Sequence, residues 1–211
     1  MASTTHDLAI LGAGAAGMLA AMRASAHGLR VVLFDPFWSQ PNNLWLSGGL
    51  FPAAGSALQR AAGVADSPED WLADLRQFAG ASCNERIAPA IAQALPTVAA
   101  FLLEAQVPVR FLADVPAPGH RVERFHSVTP ASGAALSAQL RDALTRCSLL
   151  QAHADVGVMR VDRTAGRFTL VHPDGVSQAS HLLLAGGGFG ASPGLVAEFI
   201  PEMAGALHSG A

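Results

Sequence analysis

Three glycines carry the most specific chemistry in the sequence. In Gly12-Ala13-Gly14-Ala15-Ala16-Gly17 they stand at the spacing Gly-x-Gly-x-x-Gly. Where a buried strand turns into a helix, each has a steric task. Gly12 permits the tight turn, Gly14 lets bare backbone approach a pyrophosphate, and Gly17 lets helix and strand pack closely. The helix behind them offers unpaired N–H groups and the positive end of its dipole to phosphate oxygens. Asp35 lies 23 residues after Gly12, where a carboxylate at the end of the next strand can accept both ribose hydroxyls. Gly12, Gly14, Ala15, Ala16, Gly17 and Asp35 are therefore candidate dinucleotide ligands. The competing reading is a glycine-rich turn in another α/β fold. It would leave Ala21 at the helix–sheet contact, Gly28 at the helix end and Val31 in the second strand as coincidences.

Two absences narrow the remaining chemistry. All 13 basic residues are arginines, and the chain has no lysine and no tyrosine. Schiff-base catalysis, a P-loop lysine and a Tyr–Lys dehydrogenase pair are excluded. Any reaction must use a cofactor, or His, Arg, Ser or carboxylate side chains, or residues that this chain lacks. Cys83 and Cys147 stand 64 residues apart without metal-ligand spacing, so they read as small buried hydrophobes of a reducing compartment, in keeping with a cytoplasmic protein. Of the eight histidines, the seven other than His126 show no metal spacing and read as surface residues; no metal site is expected.

The elements that must position these residues are legible in the pattern. Leu8–Leu11 is a short apolar run suited to a strand buried on both faces. Met18–Ala26 is rich in helix formers, Gly28 ends that helix, and residues 30–34 form a second strand reaching Asp35. From Pro36 to Ser56 the chain is irregular and longer than an ordinary connection. Ser67-Pro68-Glu69-Asp70 is a helix start, with Trp71, Leu72, Leu75 and Phe78 as its apolar stripe up to about Ala79. A second helical stretch from about Asn84 carries Ile87, Ile91, Leu95, Val98 and Leu102, with Pro96 expected to split or kink it. After an irregular segment with a short strand at Val109–Phe111, a helix fits 132–146. It is capped by Ser132 and carries Leu136, Leu140 and Leu144. Strands follow at 149–153, 156–161, 167–172 and 180–185, with 156–172 as a small antiparallel extension. A short helix comes after the glycine run. The order is α/β: a Rossmann-like domain whose parallel sheet uses 7–11, 30–34, 149–153 and 180–185, with a helical insertion at about 56–106.

Composition agrees. Of 211 residues 51% are hydrophobic and 14% charged, with a net charge of −3; the chain can bury a substantial core and offers no basic surface to nucleic acid. No apolar run approaches the roughly 18 residues of a membrane span, and the start does not read as a secretory signal. The glycine motif alone does not choose between NAD and FAD. Pro36-Phe37-Trp38 brings no arginine for a 2′-phosphate, which argues against NADP. The long loop and the helices after the second strand, in place of another βα unit, favour FAD.

Four segments resemble the fumarate reductase/succinate dehydrogenase flavoprotein group of FAD-dependent oxidoreductases, which includes tricarballylate and 3-ketosteroid dehydrogenases. They are LAILGAGAAGMLAAMRASAHGLRVVLFD at 8–35, NNLWLSGGLFPAAGSALQRAAGVADSPEDWLADL at 42–75, RFHSVTPASGAAL at 124–136 and LLLAGGGFGASPGLVAEFIPEM at 182–203. The first is shared by many flavoproteins. The second is more specific and is similar to the family's Ser-Gly-Gly flavin loop. The resemblance implies non-covalent FAD, since no histidine stands between Asn42 and Gly48 where covalently flavinylated members attach it. It implies Ser47, Gly48 and Gly49 on the flavin side, Val156 near adenine, and Ala185, Gly186 and Gly187 closing over the cofactor. Gly186 stands where the family commonly has threonine. His126 falls in a family-like segment, either near the flavin or as a solvated or capping histidine. Trp45 either stacks near a ring or packs in the core.

The implied function is oxidoreduction of a CH–CH bond in a small substrate, a dicarboxylate or an enone. A non-catalytic or truncated FAD- or NAD-binding fragment is the alternative. Family members continue through a substrate-capping domain and a returning part of the flavin domain. The chain is accordingly expected to be an N-terminal FAD-binding portion lacking the full catalytic site. Its expected partners are the missing C-terminal segment or an electron-transfer protein.

Overall fold

The computed structural model describes residues 5–206. In chain order the elements are β1 (Thr5–Leu11), α1 (Ala15–Ala26), β2 (Val31–Asp35), α2 (Asn43–Leu46), β3 (Phe51–Pro52), α3 (Ala57–Ala61), α4 (Pro68–Ala79) and α5 (Ala88–Glu104). Then come β4 (Arg110–Phe111), β5 (Phe125–Ser127), α6 (Gly133–Thr145), β6 (Leu150–Ala154), β7 (Arg160–Thr164), β8 (Arg167–His172), β9 (Gly175–Leu184) and α7 (Pro193–Phe199). They fall into two compact units, residues 1–46 with 140–211, and residues 47–139.

The first unit is built on a six-stranded sheet in the order β6-β2-β1-β9-β8-β7. β1 pairs in parallel with β2, Leu8 opposite Val31, and with β9, Leu8 opposite His181; β2 pairs in parallel with β6. The central strands are apolar on both faces because both faces are covered: Ile10, Val31, Val32 and Leu33 are fully buried. On one face Met18, Ala21 and Met22 of α1 are buried as well. On the other, Ala9, Val32 and Phe34 form a cluster with Leu170 and Ala179, joined by Val156, Val158 and Phe168. The antiparallel strand β8 thus returns over the parallel part of its own sheet.

The second of the late strands differs from expectation. Its pattern predicts 156–161, but the strand is β7 at Arg160–Thr164, facing β8 across a two-residue turn. Val156 and Val158 alternate as strand residues do, yet they pack onto the Phe34 cluster instead of pairing. β9 is longer than predicted because its first half pairs antiparallel with β8 and its second half parallel with β1.

The second unit holds the helices. Ser67 caps α4, its hydroxyl accepting from Asp70 N at 3.0 Å with Pro68 at the first position. α5 runs unbroken through Pro96. Its buried face is Ala88, Ala92, Ala99 and Leu102, whereas Ile87 is 53% exposed and Ile91 45%. The expected stripe is corrected accordingly. Alanine at Ala92 permits close approach to Trp71 of α4, and Leu72 and Leu95 complete that cluster. Phe78, expected on the apolar stripe of α4 with Trp71, Leu72 and Leu75, is 67% exposed. A three-stranded antiparallel sheet, β3-β5-β4, has no counterpart in the sequence reading apart from β4.

Arg124 ties this unit together. Wholly buried, it grips Asp66 with two parallel bonds, Nε at 2.9 Å and Nη2 at 3.0 Å, and reaches Asp74 with Nη1 at 2.7 Å. Burial alone would raise the Asp74 carboxyl. Hydrogen bonds from the Arg121 backbone and from the Arg124 and Arg121 side chains outweigh it and hold that carboxyl below its ordinary value.

Candidate functional site

At the carboxyl ends of β1 and β2, the first unit gathers the glycine turn and Asp35. Gly12 adopts φ +106°, and a Cβ there would lie 2.4 Å from Ala185 O. A Cβ on Gly17 would lie 1.8 Å from Gly12 O. Both glycines are thus required by the fold. Gly14, the residue before α1, is different: nothing lies within 4 Å of a Cβ placed on it. The first intrahelical bond is Met18 N to Gly14 O at 3.0 Å, so the N–H groups of Ala15, Ala16 and Gly17 precede the helix's own ladder. They point, with the helix dipole, at the space that bare Gly14 leaves open.

Asp35 organises the turn as well as flanking it. Its Oδ2 accepts from Ala13 N at 2.5 Å and its Oδ1 from Phe37 N at 2.8 Å. Each oxygen has a second lone-pair site, so two further hydrogen bonds remain open to it. Val156 lies beside it, its N–H donating to Asp35 O at 3.1 Å. Ala185 N donates to Leu11 O at 2.8 Å, which places the Ala185–Gly187 run at the end of β1 against Gly12. Gly186 has no atom within 4 Å of an added Cβ, and Gly187 takes φ +79°. Further along, the Arg141 guanidinium sits 5.5 Å from the Trp38 ring centroid, and Ser39 is bound to Asp155 through both backbone N–H and hydroxyl.

Ser47, Gly48 and Gly49 lie in the second unit. The Ser47 hydroxyl accepts from Gly49 N at 3.1 Å, and Ser47 O accepts from Gly133 N at 2.9 Å. Gly49 takes φ +66°, and a Cβ there would meet Ser132 O at 2.4 Å. Gly49 O accepts from the Ser127 hydroxyl at 2.9 Å. The loop is thus a built structure, with Ser47 and Gly48 exposed.

His126 is neither solvated nor a cap. It is fully buried between Phe51 and Phe111, its Nδ1 donating to Arg124 O at 3.0 Å, which leaves Nε2 to accept from the Ser56 hydroxyl at 2.8 Å. Burial pushes its pKa below the ordinary histidine range. Trp45 is 43% exposed and does not pack in a core. Cys83 and Cys147 are free and half-buried, and burial raises both thiols. The surface reading of the other histidines fails at His6 and His172, which are buried.

The family described as FAD binding domain matches residues 7–211. The chain belongs to that family. Its cofactor is FAD, and the turn fits the group: bare backbone at Gly14 faces open space, helix N–H groups are aimed there, and a carboxylate with lone pairs to spare stands beside it.

No curated protein matches the chain. Among solved structures, a flavocytochrome c3 fumarate reductase in an open conformation has a TM-score of 0.81 at 24% identity, covering 99% of this chain and 38% of its own. A 3-ketosteroid-Δ4-(5α)-dehydrogenase from Rhodococcus jostii RHA1 gives 0.77 at 17%, covering 98% of this chain and 51% of its own. The quinol fumarate reductase flavoprotein of E. coli gives 0.65 at 20%, covering 90% and 34%. The FAD-binding chain therefore shares the fold of these flavoproteins and spans from a third to half of their length. Among the described residues no helix is long and apolar enough to cross a membrane.

Proposed function

We propose that the chain supplies the FAD site of an oxidoreductase acting on a CH–CH bond of a small dicarboxylate or enone, and that the rest of the catalytic site lies outside it. The observation that carries the reading is the β1–α1 turn, where Gly12 and Gly17 are closed against backbone while Gly14 opens onto space beside Asp35. The substrate class comes from the fumarate reductases and the ketosteroid dehydrogenase with which the fold is shared.

Each residue has a role in this reading. Gly12 and Gly17 shape the turn; Gly14, Ala15, Ala16 and Gly17 bring N–H groups to the pyrophosphate; Asp35 accepts from the adenosine ribose. Val156 borders the adenine, and Ala185, Gly186 and Gly187 close over the cofactor with backbone donors alone. Ser47, Gly48 and Gly49 serve the flavin side. Bound FAD supplies the hydride-transferring ring. The accompanying proton needs a positioned side-chain donor, and a dicarboxylate needs a cationic clamp. Lysine and tyrosine are absent, and both nitrogens of the buried His126 are engaged. Arginines and other histidines are present, but the chain spans only a third to half of the longer flavoproteins that share its fold, and on that likeness those groups are assigned to further polypeptide, and electrons to a separate donor or acceptor. The same reading puts the protein in the cytoplasm with FAD held non-covalently.

The test is a flavin titration of the purified chain. Asp35→Ala removes charge-assisted hydrogen bonds of about 1.5–3 kcal/mol, so FAD affinity should fall about 10- to 150-fold. An unchanged affinity would refute the ribose assignment. Anaerobic assays of the reduced, FAD-loaded chain with fumarate or an enone should show no coupled turnover. Sustained turnover of about one per second, an ordinary enzymatic rate, would show that the chain holds its own proton donor.

A further inference from the structure

We propose that His153, His172 and Asp174 form a binding site for a divalent transition-metal ion of the zinc class. They come from β6, the last residue of β8 and the β8–β9 turn, all within the first unit. One ring nitrogen of each histidine and one carboxylate oxygen of Asp174 lie within 4.8 Å of one another. The sequence separation of His153 from the other two hides the cluster. It forms because β8 returns over the face of the parallel strands.

Phe34 and Ser177 hold the two imidazoles in place. His153 stacks on Phe34 with centroids 4.6 Å apart and planes at 15°, and His172 lies 4.8 Å from the same ring. The imidazoles themselves are 4.9 Å apart. His172 is 5% exposed; its Nε2 is bound to the Ser177 hydroxyl at 3.1 Å, and its Nδ1 has no hydrogen-bond partner. A histidine that donates one ring N–H to an outer hydroxyl and keeps the other nitrogen as a bare lone pair has the arrangement of a metal ligand.

The remaining geometry suits a small ion with open positions. His153 Nδ1 lies 3.2 Å from Asp174 Oδ2, close to the roughly 3.3 Å between ligands of a tetrahedral ion bound at about 2.0–2.1 Å. Asp174 stands in an exposed turn, free to close the wider separation. Two imidazoles and one carboxylate favour zinc, cobalt, nickel or copper over calcium or magnesium, which prefer all-oxygen shells. Coordination at Nδ1 requires the His153 N–H, which faces Asp174 in the free site, to move to Nε2. Gln151, whose Nε2 is 2.9 Å from His153 Nε2, then turns its amide oxygen to accept from that nitrogen's N–H. Water completes the shell.

The experiment is calorimetric titration of Zn²⁺, and separately Co²⁺, into the tag-free, FAD-loaded chain at pH 7.5. One saturable equivalent is expected. Because His172 is buried, the more exposed positions carry the test. Asp174→Ala and His153→Gln should each weaken Zn²⁺ binding at least about tenfold with FAD uptake unchanged, and Ser177→Ala, which keeps every ligand, about 10- to 100-fold. Affinity should fall as pH drops through the histidine range. The proposal is overturned if no saturable binding occurs, or if all three variants bind zinc as the parent does, in which case other histidines or thiols hold it.

Discussion

Gly14 and Gly17 are three residues apart in one motif, yet the structure gives them opposite reasons for being glycine. At Gly17 an added Cβ would overlap Gly12 O at 1.8 Å, so Gly17→Val should destabilise the fold by about 3 kcal/mol or more. At Gly14 the backbone sits at φ −72° with nothing within 4 Å of a Cβ. Gly14→Val should therefore cost only about 1 kcal/mol of stability, that of a poorer helix N-cap, while lowering FAD affinity at least about tenfold, near 1.4 kcal/mol. Urea unfolding and flavin titration of the two variants separate the cases. If Gly14→Val binds FAD like the parent, the pyrophosphate does not lie over that residue. This part of the site was readable because its spacing is fixed by local geometry: the turn, the helix start and the next strand end lie within 24 consecutive residues, 12–35. His126 was not readable in the same way. Its burial depends on Phe51, Ser56 and Phe111, and no spacing in the sequence announces that they meet. The grouping of His153 with His172 and Asp174 was hidden for the same reason.

Among the elements, those with strong local signals came out where the pattern put them. The β1–α1–β2 unit, the Ser67-capped α4 and the leucine row of α6 all did. Errors arose where tertiary packing selects between equivalent faces. α5 offers an Ile87/Ile91 row and an Ala88/Ala92 row one residue apart, and close approach to Trp71 favours the smaller side chains. The strands β3 and β5, of two and three residues, are too short to show any period. β7 was displaced because Val156 and Val158 alternate like a strand although neither of them lies in one. That hairpin also carries a testable strain. Its turn residues are Ala165 at φ 50° and Gly166 at φ 78°, the double left-handed geometry that hairpins fill with Asn-Gly or Gly-Gly. Alanine in that region costs about 1–2 kcal/mol. Ala165→Gly should raise unfolding free energy by about 1 kcal/mol after the added entropy of the unfolded chain is subtracted. A lower urea midpoint for Ala165→Gly would mean that the turn is not of this type.

For the whole molecule, the balance of buried polar groups sets how stability depends on pH. The chain buries few ionisable groups, and in the second unit they fall into two classes. Asp66, Asp74 and Arg124 are buried as a bonded charge network, whereas His126 is buried neutral between a carbonyl and a hydroxyl. His120 is also held below the ordinary histidine value, by burial first and by the Arg124 charge second. A histidine whose folded pKa lies below its unfolded value of about 6.5 takes up its proton more readily in the unfolded chain. Its contribution is therefore complete above about pH 6.5 and is lost as the pH falls from there toward the folded-state value. For the fully buried His126 the loss can reach about 1.4 kcal/mol for each pH unit in that interval. The Asp74 carboxyl, held low, adds a separate loss only below its unfolded pKa of about 3.9. Urea midpoints of the parent chain should thus stay level between pH 8 and 7 and fall steadily from about pH 6.5 to 5, above the range where carboxylates contribute. His126→Gln keeps an acceptor for the Ser56 hydroxyl but cannot be protonated. It should be less stable than the parent at pH 7.5 and lose less on acidification, by up to one proton's slope. Parallel midpoint curves for parent and variant across that interval would show that His126 is not the group that charges on unfolding.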